Sequence, residues 1–380
     1  MRVVSLAEQY PGPFATMLLA DMGADVVLVE RPRGGDPTRR FSGHFEALNR
    51  NKRSIAVDLK QDAGRAVFLD LVAGADVLIE GFRPGVMARL GLDPVELQRR
   101  FPDLVCASVS SFGQTGPLGA RGGHDLSVQG LAGYVQPGDR PAPAPLPLAD
   151  IASAMFAALG IVSALLGRER GGRASRVDVS MLDSLVSWRS TAIVSALNGL
   201  APAPYPPEDP GYGVFAVGTG GELFTLSIAG EDHQWHALCT VLGRPDMATI
   251  EVSAREARRE ELSAWLAETL RGADPRDLEA ALAGRGVGFG LVNDDAGVAK
   301  DPQVVARGVI APVTGAPGLR VVRQPVLFDD RSGPITRPAP KLGEHTREIL
   351  AELGYAPSKV EDLLLGVVVA ASEEQEMSRG

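Results

Sequence analysis

The first third of the chain alternates short, almost purely apolar runs with stretches in which apolar residues recur every three or four positions. The runs at residues 2–6, 25–29, 54–59, 76–80 and 104–110 read as strands, and the unbroken apolar character of 25–29 is that of a parallel strand covered on both faces. Helical spacing occupies residues 13–22, where Phe14, Met17, Leu18 and Met22 recur, and residues 63–73 and 86–90. Strands alternating with helices predict a doubly wound α/β domain. Residues 113–123, rich in glycine, and 137–147, rich in proline, read as loops. A long apolar helix starts near Asp150, which takes its N-cap position, and a second long helix is expected over 179–200. Residues 201–213, dense in Pro and Gly, mark the best internal boundary. Beyond them lie a hairpin (214–217 and 223–228), a helix over 231–242 and a charged helical stretch over 254–282, together a smaller α+β unit. The expected division is 1–200 as the large domain, 201–310 as the small one, 311–370 as a segment returning to the large domain, and 371–380 as a disordered polar tail.

Composition narrows the function. A chain of 380 residues buries a large core without staples. Its two cysteines, Cys106 and Cys239, exclude a disulfide scaffold and a cysteine-based zinc site, and suit a reducing, cytoplasmic setting. A net charge of −9 and a pI near 5.2 give no global positive field, so nucleic acid is not an expected partner. No apolar run is read as a membrane span: the longest, 151–166, is interrupted by Ser153, Gly160 and Ser163 and is expected to be a buried core helix. The first residues enter a strand at once, so no signal peptide is expected. No GxGxxG follows the first strand, so a nicotinamide dinucleotide site is not indicated.

Four constellations carry candidate chemistry. Basic residues cluster in the loops 31–40 (Arg-Pro-Arg-Gly-Gly-Asp-Pro-Thr-Arg-Arg) and 49–53 (Asn-Arg-Asn-Lys-Arg), and at Arg83 and Arg89. They are either solvated loop charges or, gathered at the carboxyl edge of a sheet, a phosphate-binding set. His124, after Gly122 and Gly123, is a general-base candidate by its near-neutral pKa, or an ordinary loop histidine. Asp150 is an N-cap, or a partly buried carboxylate able to act as base or nucleophile. Glu231 and Asp232 open a helix, where acidic residues are normal electrostatics.

The chain resembles the class III CoA-transferase and α-methylacyl-CoA racemase superfamily over nearly its whole length. The resemblance is carried by Pro11-Gly12-Pro13-Phe14-Ala15, Leu19-Ala20-Asp21-Met22-Gly23-Ala24-Asp25-Val26, Val29-Glu30-Arg31-Pro32 and Asn49-Arg50-Asn51-Lys52-Arg53-Ser54. Asp76-Val77-Leu78-Ile79-Glu80-Gly81-Phe82-Arg83-Pro84-Gly85, Ser110-Ser111-Phe112-Gly113-Gln114-Thr115-Gly116-Pro117 and Leu342-Gly343-Glu344-His345-Thr346 continue it in order. It implies a Rossmann-like large domain, a small domain, an interlocked homodimer, and acyl-CoA thioesters as substrates with no metal or redox cofactor. It implies Arg39 and Arg89 near the CoA nucleotide, with Lys52, Arg53 and Arg83 in the same basic set. Both branches place an aspartate where Asp150 stands. In racemases it is paired with a histidine matching His124, itself supported by a glutamate matching Glu231. In transferases it is the nucleophile that carries CoA as an aspartyl thioester. The Gly-His-Asp form at residues 123–125 is racemase-like, whereas Ile151-Ala152-Ser153-Ala154 and Leu126-Ser127-Val128-Gln129-Gly130 are closer to transferases. The leading expectation is an α-methylacyl-CoA racemase working through an enolate with His124 and Asp150; the alternative is a CoA-transferase using Asp150; a third is a non-catalytic acyl-CoA binder.

Overall fold

A computed structural model describes residues 1–135 and 142–372. Part of the proline-rich loop and nearly all of the polar tail therefore lie outside the described residues. The chain forms two compact units, Met1–Ser190 with Arg307–Gly380, and Thr191–Ala306.

In the first unit the chain runs β1 (Arg2–Ser5), α1 (Pro11–Asp21), β2 (Asp25–Glu30), a 3-10 turn (Pro37–Arg40), α2 (Ser42–Asn49), β3 (Lys52–Val57), α3 (Asp62–Ala73) and β4 (Val77–Glu80). It continues with α4 (Val86–Arg89), α5 (Pro94–Arg100), β5 (Val105–Ser110), α6 (Asp125–Leu131), α7 (Leu148–Glu169), β6 (Arg176–Ser180) and α8 (Met181–Trp188). The six strands are parallel, in the order β3-β2-β1-β4-β5-β6, and the late strand Val369–Ala370 adds antiparallel beside β3. That order is the doubly wound one, with the winding direction reversing between β1 and β4.

Alternate strand residues face opposite sides. Val4, Val27 and Ile55 pack under α3 and the C-terminal helices, while Val3, Val26, Val77 and Val105 pack under α1 and α7. Both sets are buried, which is why the strands read as continuous apolar runs. The buried face of α7 is made of small residues, Ala149, Ala152, Ser153, Ala154 and Ala157, then Ile161. Small side chains let α7 lie close on α1, β5 and β6.

Three expectations are corrected. The helix expected over 179–200 begins as strand β6, which pairs with β5; Ser180 then caps α8 by accepting a hydrogen bond from the Asp183 amide. Asp150 is not the N-cap of α7: the helix starts two residues earlier, after Pro147. That same helix is long and apolar enough to cross a membrane by length and composition, with a mean hydropathy of 1.9, where no such run was expected. Its packing on α1 and the sheet makes it a wall of this unit's core.

The second unit holds an antiparallel sheet of the strands Tyr212–Val217, Glu222–Ser227 and Phe289–Leu291. Helices Asp232–Val241, Arg259–Arg271 and Pro275–Leu282 cover a core centred on Trp235, Phe224 and Leu266. The charged helical stretch is three helices, the last started by Asp274, whose carboxylate accepts from the amides of Arg276 and Asp277, and by Pro275.

Candidate active site

Where the winding of a parallel sheet reverses, the loops leaving two neighbouring strands turn to opposite faces and leave a crevice. The crevice here is a cavity of about 460 Å³. The turn after β1 (8–12), the turn after β4 (81–84), the end of β5 (109–111), the loop 121–124 and Asp150 line it. His124 and Asp150, 26 positions apart in the sequence, thus share one cavity.

Asp150 reaches it because another residue caps its helix. The Asp125 carboxylate accepts from the amide of Ala149 at 2.7 Å and from the Gln129 side chain. Gln129 is buried, donates to the Leu146 carbonyl at 3.1 Å and accepts from the Ala144 amide at 2.9 Å. Helix α6 and the start of α7 are therefore pinned together, and the Asp150 carboxylate has no hydrogen bond from any described residue. Burial, and then the charge of Asp125, raise its pKa from 3.8 to about 7.

Other walls were not singled out from the sequence. Tyr10 stands edge-on to Phe14 and His44, with ring centroids 5.9 and 5.4 Å away, and its phenol is raised by burial and by the charge of Asp150. Glu8 is raised mainly by burial, against the lowering effect of Arg31, 3.4 Å away. The Ser110 hydroxyl is buried without a hydrogen-bond partner among the described residues. Ser111 donates to the Gly123 carbonyl at 2.7 Å, which fixes the loop that carries His124. His124 is exposed and takes the N-cap position of α6 without a side-chain capping bond.

The expected basic set does not converge on one edge. Arg83 lines the cavity, and Arg89 is exposed on α4 with no ion pair among the described residues. Arg39 grips Glu30 with two hydrogen bonds, of 2.6 and 2.7 Å, donates to the Pro340 carbonyl and stacks over Phe45. Lys52 and Arg53 open β3, so they stand at the amino edge of the sheet, opposite the crevice. Lys52 is fully buried, donating to the Pro13 carbonyl and the Asn49 side chain, and burial holds its pKa well below the usual lysine range. Arg53 is held by Asp25, Glu348 and Glu352. Glu231 belongs to the second unit, where its carboxylate accepts from the Ala229 amide at 2.7 Å. Among the described residues no group of three or more His, Cys, Asp and Glu side chains is arranged to hold a metal.

A desolvated carboxylate open to a polar crevice, with a histidine and a hydroxyl on the same walls, is equipped for acyl or proton transfer. The sequence model of CoA-transferase family III matches residues 1–346, and the chain belongs to that family. It is 34% identical to succinate–glutarate CoA-transferase of Agrobacterium fabrum over 379 residues, covering 93% of this chain and 94% of the relative. It is 35% identical to acetyl-CoA:oxalate CoA-transferase of Acetobacter aceti, covering 94% and 96%. The crystal structure of a CAIB/BAIF family protein from Brucella suis matches with a TM-score of 0.82 at 34% identity, over 93% of this chain and 98% of that one.

Proposed function

We propose that this protein is a CoA-transferase that moves CoA from an acyl-CoA to a free carboxylic acid, with Asp150 as nucleophile. The observation that carries the reading is the Asp150 carboxylate, largely buried and without a hydrogen bond from any described residue, facing the switch-point cavity. Family membership and the transferase names of the relatives favour it over the racemase expected first.

The Asp150 carboxylate attacks the thioester carbonyl; the carbon–sulfur bond breaks and the CoA thiolate leaves, giving a mixed anhydride. The thiolate attacks the carbonyl of Asp150, releasing the donor acid and leaving CoA on Asp150 as a thioester. The acceptor carboxylate attacks that thioester, and the expelled thiolate then takes the acceptor's acyl group, freeing Asp150. No proton or electron is consumed. Loss of hydration makes the carboxylate a stronger nucleophile, and the Ser110 hydroxyl, unpartnered among the described residues, is a donor for the oxyanion formed on the way. Arg89, exposed and unpaired among the described residues, is the cation assigned to the CoA nucleotide.

Treating the protein with acyl-CoA, then hydroxylamine, should leave a hydroxamate on the peptide containing Asp150, and none in Asp150→Asn. Absence of the adduct across an acyl-CoA panel, together with absence of CoA exchange between acids, refutes the reading. One observation favours the racemase as second reading: His124 lines the same cavity as Asp150. It requires deuterium entry at the α-carbon of a 2-methylacyl-CoA in heavy water.

The homodimer also belongs to this proposal. Met155, Leu159, Val162 and Leu166 form one exposed apolar stripe along α7, about half exposed each, and a second copy of the chain is its proposed cover. Light scattering should give twice the chain mass, and Leu159→Glu should weaken the assembly.

A further inference from the structure

Five residues other than glycine take a positive φ among the described residues, and only one of them, Gln9 at 72°, lines the cavity of Asp150. A β-carbon crowds a backbone carbonyl in that conformation, so it must be held from outside. The path of the chain leaves little choice. The turn from β1 into α1 closes so tightly that a side-chain carbon at Gly12 would overlap Cβ of Ala7. The Gln9 side chain is exposed, so its own packing does not hold the turn.

A carboxylate outside the cavity does. Asp36, in the loop after β2, is 5% exposed, and its Oδ2 accepts from the Gln9 amide at 3.0 Å. Its Oδ1 accepts from the Thr38 amide at 2.7 Å and from the Thr38 hydroxyl at 2.6 Å. The Asp36 amide donates to the Glu30 carboxylate at 3.0 Å, and Glu30 is fixed in turn by Arg39 and by the Ser54 hydroxyl. Asp36 is thus anchored on every side, and the turn after β1 is tied to it by one backbone amide. Residues 8–12 of that turn line the cavity, and the Tyr10 phenol feels the charge of Asp150.

We propose that Asp36 is a positioning residue of this active site: by holding Gln9 left-handed, it turns the chain so that Tyr10 stands in the cavity of Asp150. Asp36 does not itself line the cavity, so it acts through the Gln9 amide alone. A carboxylate oxygen on a backbone N–H makes a charge-assisted bond, strong enough to offset the crowding at Gln9. The inference rests on the CoA-transfer reading above, which supplies its readout.

The test measures CoA transfer per mole of folded, full-length protein. The donor is the acyl-CoA that labels Asp150 most, and the acceptors are acetate, propionate, succinate and glutarate. Asp36→Ala should lower kcat by roughly 10- to 100-fold, the worth of one charge-assisted hydrogen bond, with the KM for acyl-CoA changed far less. Adding Gln9→Gly to Asp36→Ala should restore most of kcat, because glycine takes a positive φ freely; adding Gln9→Ala, which keeps a β-carbon, should restore none. A residue that only stabilises the fold would lower the melting temperature, leave kcat unchanged and make the two second substitutions equivalent. That result overturns the proposal, as does a raised KM with kcat intact. If Asp36→Ala fails to fold, Gln9→Val and Gln9→Gly are compared with Asp36 in place. A β-branched residue resists a positive φ most, so kcat of Gln9→Val should fall well below that of Gln9→Gly, and equal values overturn the proposal. Transfer indifferent to Asp36 sinks only this proposal; no transfer to any acid and no Asp150 adduct in the wild type sinks the reading beneath it as well.

Discussion

Replacing Asp150 by Asn should make the protein more stable at neutral pH while ending its activity. Asp150 has a folded-state pKa of about 7 against an ordinary value of 3.8. A carboxyl whose pKa rises on folding binds its proton more tightly in the native state. Between those two values the native state then holds more protons than the unfolded chain, and stability falls as pH rises. The difference of about three units, at 1.36 kcal/mol each, amounts to about 4 kcal/mol of native-state cost, fully present above pH 7 and absent below about pH 4. Asn has the same shape and no charge, so it removes that cost. Urea unfolding of wild type and Asp150→Asn at pH 8 and at pH 4 measures it. The variant should be more stable by up to about 4 kcal/mol at pH 8, with the gain shrinking toward zero at pH 4. Equal stability at pH 8, or a gain that does not depend on pH, would refute the claim that a desolvated carboxylate faces this cavity.

Two further outcomes follow from the structure. Asp125→Asn keeps an oxygen for the Ala149 amide but removes the like charge beside Asp150, so the Asp150 pKa should fall and the acid limb of the pH–rate profile for transfer should move below about pH 7; an unmoved limb contradicts the coupling. In the second unit Arg255 is fully buried between Asp209, itself 1% exposed, and Asp232. Arg255→Ala strands the Asp209 charge and should cost that unit about 3–5 kcal/mol, read as an earlier urea transition by fluorescence of Trp235, against which Arg255 packs.

The sheet was legible because both its faces are covered. Residues such as Val3 and Val4, or Val26 and Val27, go to opposite cores, yet all are apolar, so β1 to β5 stood out with their boundaries correct to within two residues, whereas the half-exposed, polar-studded β6 was read as the start of a helix. Helix α5 escaped notice because only Leu97 of its residues is buried, although Asp93 and Pro94 spell a helix start. The site was legible as residues more than as geometry. Asp150 and His124 were named, but the N-cap role given to Asp150 belongs to a carboxylate 24 positions upstream of the amide it binds, a pairing that only the tertiary fold creates. Lys52 and Arg53 look like loop cations in the sequence, yet they begin a strand at the far edge of the sheet, where a carbonyl, an amide side chain and three carboxylates take them up. Tyr10 and Ser110 carried no signal beyond position, since a tyrosine before a proline or a serine at a strand end is commonplace.

The strand Val369–Ala370 closes the outer side of β3, pairing with Val57 and Ala56. Between the two stretches that build this sheet lies the whole of the second unit, residues 191–306. During synthesis the contiguous unit can therefore mature on the ribosome while the first one waits, with β3 an open edge that invites mispairing until the stretch after residue 306 emerges as far as Ala370. A chain stopped shortly before residue 369 should for that reason misassemble and precipitate even though every side chain of the cavity is in place.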